Sequence, residues 1–409
     1  MNTDPLIPHL FRTEYRKIVS VLCRHFGFRE IELAEDIASD TFLVATQAWG
    51  IEGLPPNPAG WLYNTAKNKA KNYLHRQSIY EEKVLPQILT EAGTDSAFHV
   101  ELTQESITDS QLQMLFAVCH PAISEESQVG LALRILCGFG IQEIADAFLT
   151  TKDVINKRLT RAKERLREAN ICIEMPARAD IDMRLESVLT TIYLLFNEGY
   201  YSVSQDHTLR KDVCMEAMRL CTMLLENNAT NRPQVNALMA MMCFHASRFD
   251  ARIDASGALV LYDEQDPDLW NADLIGNGGA FLQSAAKGDR VSRYHMEAGI
   301  AYWHTRKEDS PEKWSSIVYY YDQLLKLHYS PVAALNRAFA VSKWKGKAEA
   351  IRETEALALE DSHFYFALLG ELYDGIDPEK ALANLQNALR LARTAADQQA
   401  IRKRIMALS

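Results

Sequence analysis

The chain has 409 residues, 47% of them apolar and 24% charged, with a formal net charge of −10. A chain this long implies roughly two to four domains rather than one core, and the composition excludes a collagen-like or disordered protein. The acidic balance argues against a nucleic-acid surface spread over the whole chain, because neutralising phosphates needs concentrated Lys and Arg.

The opening MNTDPLIPHLFRTEYRK has no basic flank ahead of an apolar run, and no stretch reaches the length of a membrane span. A cytoplasmic protein with no membrane partner is therefore expected. Seven cysteines are scattered without a CxxC pair, which argues against a zinc ribbon and a disulfide framework and for small buried apolar residues.

Helical spacing dominates, and alternating runs of strand type are nearly absent, so the fold is expected to be all-α. A first segment, 8–78, holds the amphipathic run ELAEDIASDTFLVATQAW, a break at GLPPNP and the helical AGWLYNTAKNKAKNYLHRQ. Lys67, Lys69, Lys71 and Arg76 form a basic island there with no intervening acid. Residues 79–109 lose the pattern and read as a linker with room for short helices.

A second unit, 110–170, ends in GFGIQEIADAFLTTKDVINKRLTRAKERLRE. Ile141, Ile144 and Ala145 share one face of a short helix, TTKD makes the turn, and Val154, Ile155 and Leu159 restart the apolar face. That pattern is a helix-turn-helix or an ordinary helical hairpin. Arg158, Arg161, Lys163, Arg165 and Arg167 on the second helix favour DNA binding, since a recognition helix meets phosphates and base edges.

Beyond about 183 the chain stays helical but loses the basic islands. A span over 183–283 reads as a separate helical domain, and 284–409 as repeats. SPVAALNRAFAVSKWKGKAEAIRETEAL and SHFYFALLGELYDGIDPEKALANLQNAL are weakly similar, in register on Ala334, Ala338 and Val341 in one and Phe366, Leu369, Gly370 and Tyr373 in the other, with Ala381, Leu385 and Ala388 following. Small Gly370 and Ala338 would let paired helices approach closely, as in tetratricopeptide repeats, although a generic hairpin also fits.

Together these motifs resemble the extracytoplasmic-function (ECF) type of RNA polymerase sigma factor. AEDIASDTF is similar to that family's acidic helix, GWLYNTAKNKAKNYLHRQ to its promoter-melting helix, and 110–170 to its region four. IYLLFNEGYY, LVLYDEQDPDLWN and SPVAALNRAFAV resemble the helical extension of a subgroup that ends in tetratricopeptide-like repeats. The chain departs from the pattern at Ser39-Asp40, where Gln followed by an acid is usual, and at Asn156-Lys157, where Arg and Ser are frequent.

The resemblance implies binding rather than catalysis, with no cofactor. Glu35, Asp36, Asp40 and Phe42 would meet the clamp coiled coil of the polymerase largest subunit, Phe42 as the apolar anchor. Asn68 and Asn72, one turn apart, would read a flipped base of the minus-ten element, with Lys67, Lys69, Lys71 and Arg76 on the phosphates. Trp61 reads either as core, the better reading, or as a DNA-side aromatic. Tyr63 would stack on or touch the opened strand. Asn156, Lys157, Thr160 and Arg161 would read the minus-thirty-five element, with Lys152 and Arg158 gripping phosphate. Asn156 suits adenine where Arg suits guanine, so an unfamiliar upstream element is implied.

In the extension, FNEGYY, the run Glu264, Gln265, Asp266 and Trp270 admit a ligand site, yet packing between domains is the better reading. Glu198 and Asp266 could form a carboxylate pair, although nothing in the sequence shows that they approach each other. No nucleophile elbow, Walker motif or metal spacing occurs, and a protein partner is expected on the repeats. A helix-turn-helix regulator with a helical sensor would not need AEDIASDTF followed by GWLYNTAKNKAKNYL, and a tetratricopeptide scaffold would leave both basic islands unexplained.

Overall fold

The computed structural model describes residues 6–84, 102–148, 150–201, 210–254, 260, 262–392 and 394–408. Its regular elements there are helices, and no strand occurs among the described residues. Two compact units divide the chain, 1–194 and 195–409.

In the first unit α1 (Leu6–Phe26), α2 (Ile31–Glu52) and α3 (Pro58–Val84) pack around Ile18, Leu22, Ile31, Ala38, Leu62 and Ala66, all buried. The GLPPNP break places Pro58 at the first position of α3, where a missing N–H costs nothing. Asn57 caps that helix by accepting from Gly60 N at 2.9 Å. Nothing in QSIYEEKV interrupts a helix, so α3 runs six residues beyond the expected end of its segment. Likewise α4 (Gln104–Val118), capped by Thr103, starts inside the expected linker, and residues 85–101 of that linker lie outside the described residues.

α4 packs on α1, and α5 (Glu125–Leu131) runs on as a π turn over Ala132–Leu136 that touches both. α6 (Ile141–Ala147) and α7 (Lys152–Glu168) follow, joined by a turn whose Thr151 caps α7 by accepting from Val154 N. The buried stripe of α7 is Ile155, Leu159, Ala162 and Leu166, at helical spacing. Val154 was expected on that face and is instead 43% exposed; one residue before Ile155, it lies about 100° round the helix.

α8 (Ile181–Tyr201) contains the boundary between the units. Its first half belongs to the first unit. There Arg184 donates to the carbonyl of Phe116 at 2.6 Å, Thr191 donates to Gln128 at 2.8 Å, and Leu185, Val188, Leu189 and Ile192 are fully buried.

The second unit contains α9 (Lys211–Glu226), α10 (Pro233–Ala246), α11 (Ala272–Ala285), α12 (Arg293–Trp303), α13 (Pro311–Leu327), α14 (Pro331–Lys345), α15 (Lys347–Leu357), α16 (His363–Tyr373), α17 (Pro378–Leu391) and α18 (Ala395–Leu408). α10 is apolar on every side because α9, α11 and α12 surround it. From α12 onward each helix packs on the next. Arg337 of α14 ties three of them together, pairing with Asp322 of α13 at 2.5 Å and with Glu353 of α15. A Cβ on Gly370 would lie 2.6 Å from Leu385 Cγ, so only glycine lets α16 and α17 approach this closely. Gly199 of FNEGYY is equally constrained, its missing Cβ facing Cys214 Sγ at 2.7 Å.

Six of the seven cysteines are buried, and Cys172 is exposed. Among the described residues no helix is long and apolar enough to cross a membrane.

Candidate nucleic-acid and polymerase interface

The acids of α2 divide between two environments. Asp36 and Asp40, one turn apart, are exposed. Glu35 is turned inward: Lys163 of α7 donates to its Oε2, and Arg134 Nε donates to Oε1 at 3.2 Å. Side-chain exposure is 12% for Glu35 and 11% for Lys163, so this ion pair is shielded from solvent. Arg167 pairs with Glu32 in the same interface, and Arg12 donates to Glu143 at 2.7 Å. Glu143 also accepts from Gly140 N at 2.7 Å, so one carboxylate both caps α6 and holds it to α1.

Beneath this interface Tyr15 is buried, and its pKa is pushed up to about 12, first by loss of solvent and then by the Glu35 carboxylate, with Arg134 opposing.

Phe42, expected as an exposed anchor, is 4% exposed and packs edge-on against Phe11 at 5.0 Å between centroids. The apolar side chain on the outer face is Leu43, 58% exposed. Asp36, Asp40 and Leu43 follow i, i+4, i+7 and therefore share a stripe, while Phe42 lies on the neighbouring, buried one. That spacing is visible in the sequence and was the signal available for Leu43.

On α3 the residues Asn68, Lys71, Asn72 and Arg76 are exposed, and Lys67 and Lys69 are half-buried. Lys69 reaches Asp40 at 3.5 Å. Trp61 is half-buried and meets buried Trp49 edge-on at 5.4 Å, so it packs at the edge of the core. Tyr63 is committed as well: its hydroxyl donates to Glu14, and its ring packs on Val21 and Ile107. Burial and that carboxylate both raise its pKa.

α7 exposes Lys152, Asn156, Lys157, Thr160 and Arg161. A groove of about 400 Å³ runs between this face and the start of α5, lined by Ser124, Ser127, Lys157, Arg158, Arg161 and Arg165 among others. Arg158 is tethered there by Glu126 at 3.6 Å and by the Phe148 ring at 5.6 Å. Of the five basic residues expected to face DNA, Lys163 and Arg167 do not: both turn back onto α2. No local signal reveals this, because their partners lie more than a hundred positions away in the chain.

In the second unit Asp266 caps its own short turn by accepting from Asp268 N, and Glu198 is half-buried with a raised pKa from loss of solvent, moderated by Arg210. No contact joins these two carboxylates. Among the described residues no group of three or more His, Cys, Asp or Glu side chains is arranged to hold a metal ion.

Comparison with known proteins gives two family matches. Residues 10–79 match sigma-70 region 2, the span that carries α2 and most of α3, and residues 184–286 match a family of unknown function, DUF6596. No solved structure matches the chain. An uncharacterized protein of Rhizobium meliloti (strain 1021) is 35% identical over 386 residues, covering 92% of this chain and 90% of that protein. The region 2 match supports a role as an RNA polymerase sigma factor, which implies polymerase core and promoter DNA as partners. The chain belongs to the same family as the Rhizobium meliloti protein, and in it a sigma-70 region 2 domain is followed by a long helical part that includes DUF6596.

Proposed function

We propose that this chain is an ECF-type sigma factor that acts in the cytoplasm, directs core polymerase to specific promoters and is regulated through its helical extension. One observation carries the reading: within the span matched to region 2, α3 leaves Asn68 and Asn72 exposed on one face, flanked by Lys71 and Arg76. Two amides one turn apart can hold the edge of an unstacked base while the cations track phosphate. Asp36, Asp40 and Leu43 supply the polymerase-docking stripe of α2. Residues 110–170 serve as the minus-thirty-five reader through Asn156, Lys157, Thr160 and Arg161, with Lys152 and Arg158 on phosphate. The helices from α12 onward are the tetratricopeptide-like part and offer a protein partner its surface.

The test is run-off transcription with purified core polymerase on candidate promoters, including the sequence upstream of its own gene, with permanganate footprinting of the opened strand. Promoter-specific transcripts are expected, weakened at the opening step by Asn68→Ala and Asn72→Ala and at duplex recognition by Asn156→Ala. Tight sequence-specific binding to duplex DNA without polymerase, and no transcript with it, would show an ordinary helix-turn-helix regulator instead.

A further inference from the structure

The segments FNEGYY, EQD and Trp270 converge, within the second unit, on cations that no sequence pattern announces. The ring of Tyr262 sits among three of them: Arg248 Cζ at 5.3 Å, Lys313 Nζ at 5.2 Å and Lys307 Nζ at 5.5 Å from its centroid. His304 meets the same ring edge-on at 5.1 Å, and Trp270 stacks on it at 6.2 Å. Alongside, Arg252 lies 4.0 Å over the ring of Tyr200, whose hydroxyl accepts from Arg248 at 3.3 Å.

Arg248 is 6% exposed and Lys313 is 1% exposed. Buried cations ordinarily sit against carboxylates, because an unpaired charge in a low-dielectric interior is costly. Among the described residues, none of Arg248, Arg252, Lys307 and Lys313 has a carboxylate oxygen within 4.0 Å. Lys307 donates instead to the carbonyls of Tyr262, Asp263 and Gln265, and Lys313 to the Tyr262 hydroxyl and the Arg306 carbonyl. These bonds satisfy hydrogens without neutralising charge.

Donors are also left over around the same ring. Arg248 Nε and Trp270 Nε1 are buried and have no hydrogen-bond partner, and neither has His304 Nδ1, which donates in one of the two neutral tautomers. Burial lowers the Lys313 pKa; Asp309 and Asp263 oppose this less strongly, and Lys307 and Arg248 reinforce it. Gln265 Oε1 is a buried acceptor that likewise has no partner, so what the cluster lacks is not acceptor oxygens as such but negative charge close enough to pair with its cations.

We propose that Arg248 and Lys313, with the Lys307 charge beside them and Tyr262, His304 and Trp270 around them, form a binding site for the oxyanion of a small molecule, a carboxylate or a phosphate. The unpartnered Arg248 N–H and the remaining hydrogen of Lys313 suit the oxygens of one anion, with Lys307 adding charge, and charge-assisted bonds there are the strong kind. The depth of Arg248 and Lys313 excludes a nucleic-acid backbone or a folded protein surface as the anion. Tyr262, Trp270, His304 and Lys307 are only half-buried, so the cluster keeps a solvent-facing side. Arg248, Tyr262 and Trp270 fall within the span matched to DUF6596, whereas His304, Lys307 and Lys313 follow it, so a bound anion would clamp that span to the helices beyond.

The site stands independently of the sigma-factor reading, and its test does not use transcription. The full-length protein is melted at fixed pH and ionic strength while chloride is replaced by inorganic phosphate or by succinate, up to about 50 mM, since a ligand of the folded state raises the melting temperature by mass action. A saturable rise is expected with at least one of them. Phosphate alone identifies a phosphate-bearing ligand, succinate alone a carboxylate, and both together a general oxyanion acceptor. Arg248→Gln should weaken the apparent affinity at least tenfold; if circular dichroism shows that this variant does not fold, Lys307→Gln takes its place under the same criterion. No response beyond that to chloride, or an undiminished response in the folded variant, overturns the proposal.

Discussion

Phe42 and Leu43 are neighbours in sequence with opposite surroundings, and substitutions should separate their roles. Phe42→Ala empties a packed site against Phe11 and should cost about 3–5 kcal/mol of stability. Leu43→Ala should leave the denaturation midpoint nearly unchanged and, together with Asp40→Asn, weaken core-polymerase binding several-fold. Equilibrium denaturation paired with a core-binding titration checks both. His304 supplies a pH dependence at the same scale. Loss of solvent, then Arg248 and Lys313, hold its pKa down at about 3 against an ordinary 6.5. Between those values the unfolded chain binds a proton that the folded chain does not. The His304 contribution is thus complete above about pH 6.5 and shrinks roughly tenfold in folding constant per pH unit as the pH falls toward 3. His304→Gln should flatten the fall in melting temperature between about pH 6.5 and 4; an unchanged slope would show that this imidazole titrates normally.

Among elements, the contact of α2 with α7 is the one that the amino-acid order conceals. Glu35→Gln leaves Arg134 facing no carboxylate and Lys163 only the more exposed Glu32 at 3.8 Å, which should cost up to about 3–5 kcal/mol, whereas Glu35→Leu combined with Lys163→Met removes the Lys163 charge, though not that of Arg134, and should recover part of that loss. A double-mutant cycle by chemical denaturation of the full chain measures the coupling, and additive effects would contradict it. The helices themselves were legible, because local chemistry sets them. GLPPNP ends one helix and starts the next, and TTKD supplies the Thr151 cap of α7. The length of α3 was legible in the same terms, since QSIYEEKV holds neither Gly nor Pro. The partners were not: a lysine on α7 looks the same in sequence whether it meets phosphate or, 128 residues away, Glu35. The cations around Tyr262 were hidden for the same reason, their residues lying between positions 248 and 313 with no common spacing.

At the scale of the whole molecule, α8 decides how the extension can be tested. A cut at about residue 183, where the sequence pattern changes, would remove Leu185, Val188, Leu189 and Ile192 from the first unit, together with the Thr191 bond to Gln128 and the Arg184 bond to Phe116. Burying four such side chains contributes about 1.5–3 kcal/mol each, comparable in sum with the whole stability of an average domain. A chain cut there should therefore melt early, and lost transcription would reflect unfolding. Keeping residues 1–201 preserves α8 and should leave the first unit with its full helical signal and a cooperative transition. With that chain, regulation through the extension predicts run-off transcription several-fold different from the full-length protein at equal concentration of folded protein. Equal transcription from the two, with both folded by circular dichroism, would remove the extension from the control of initiation.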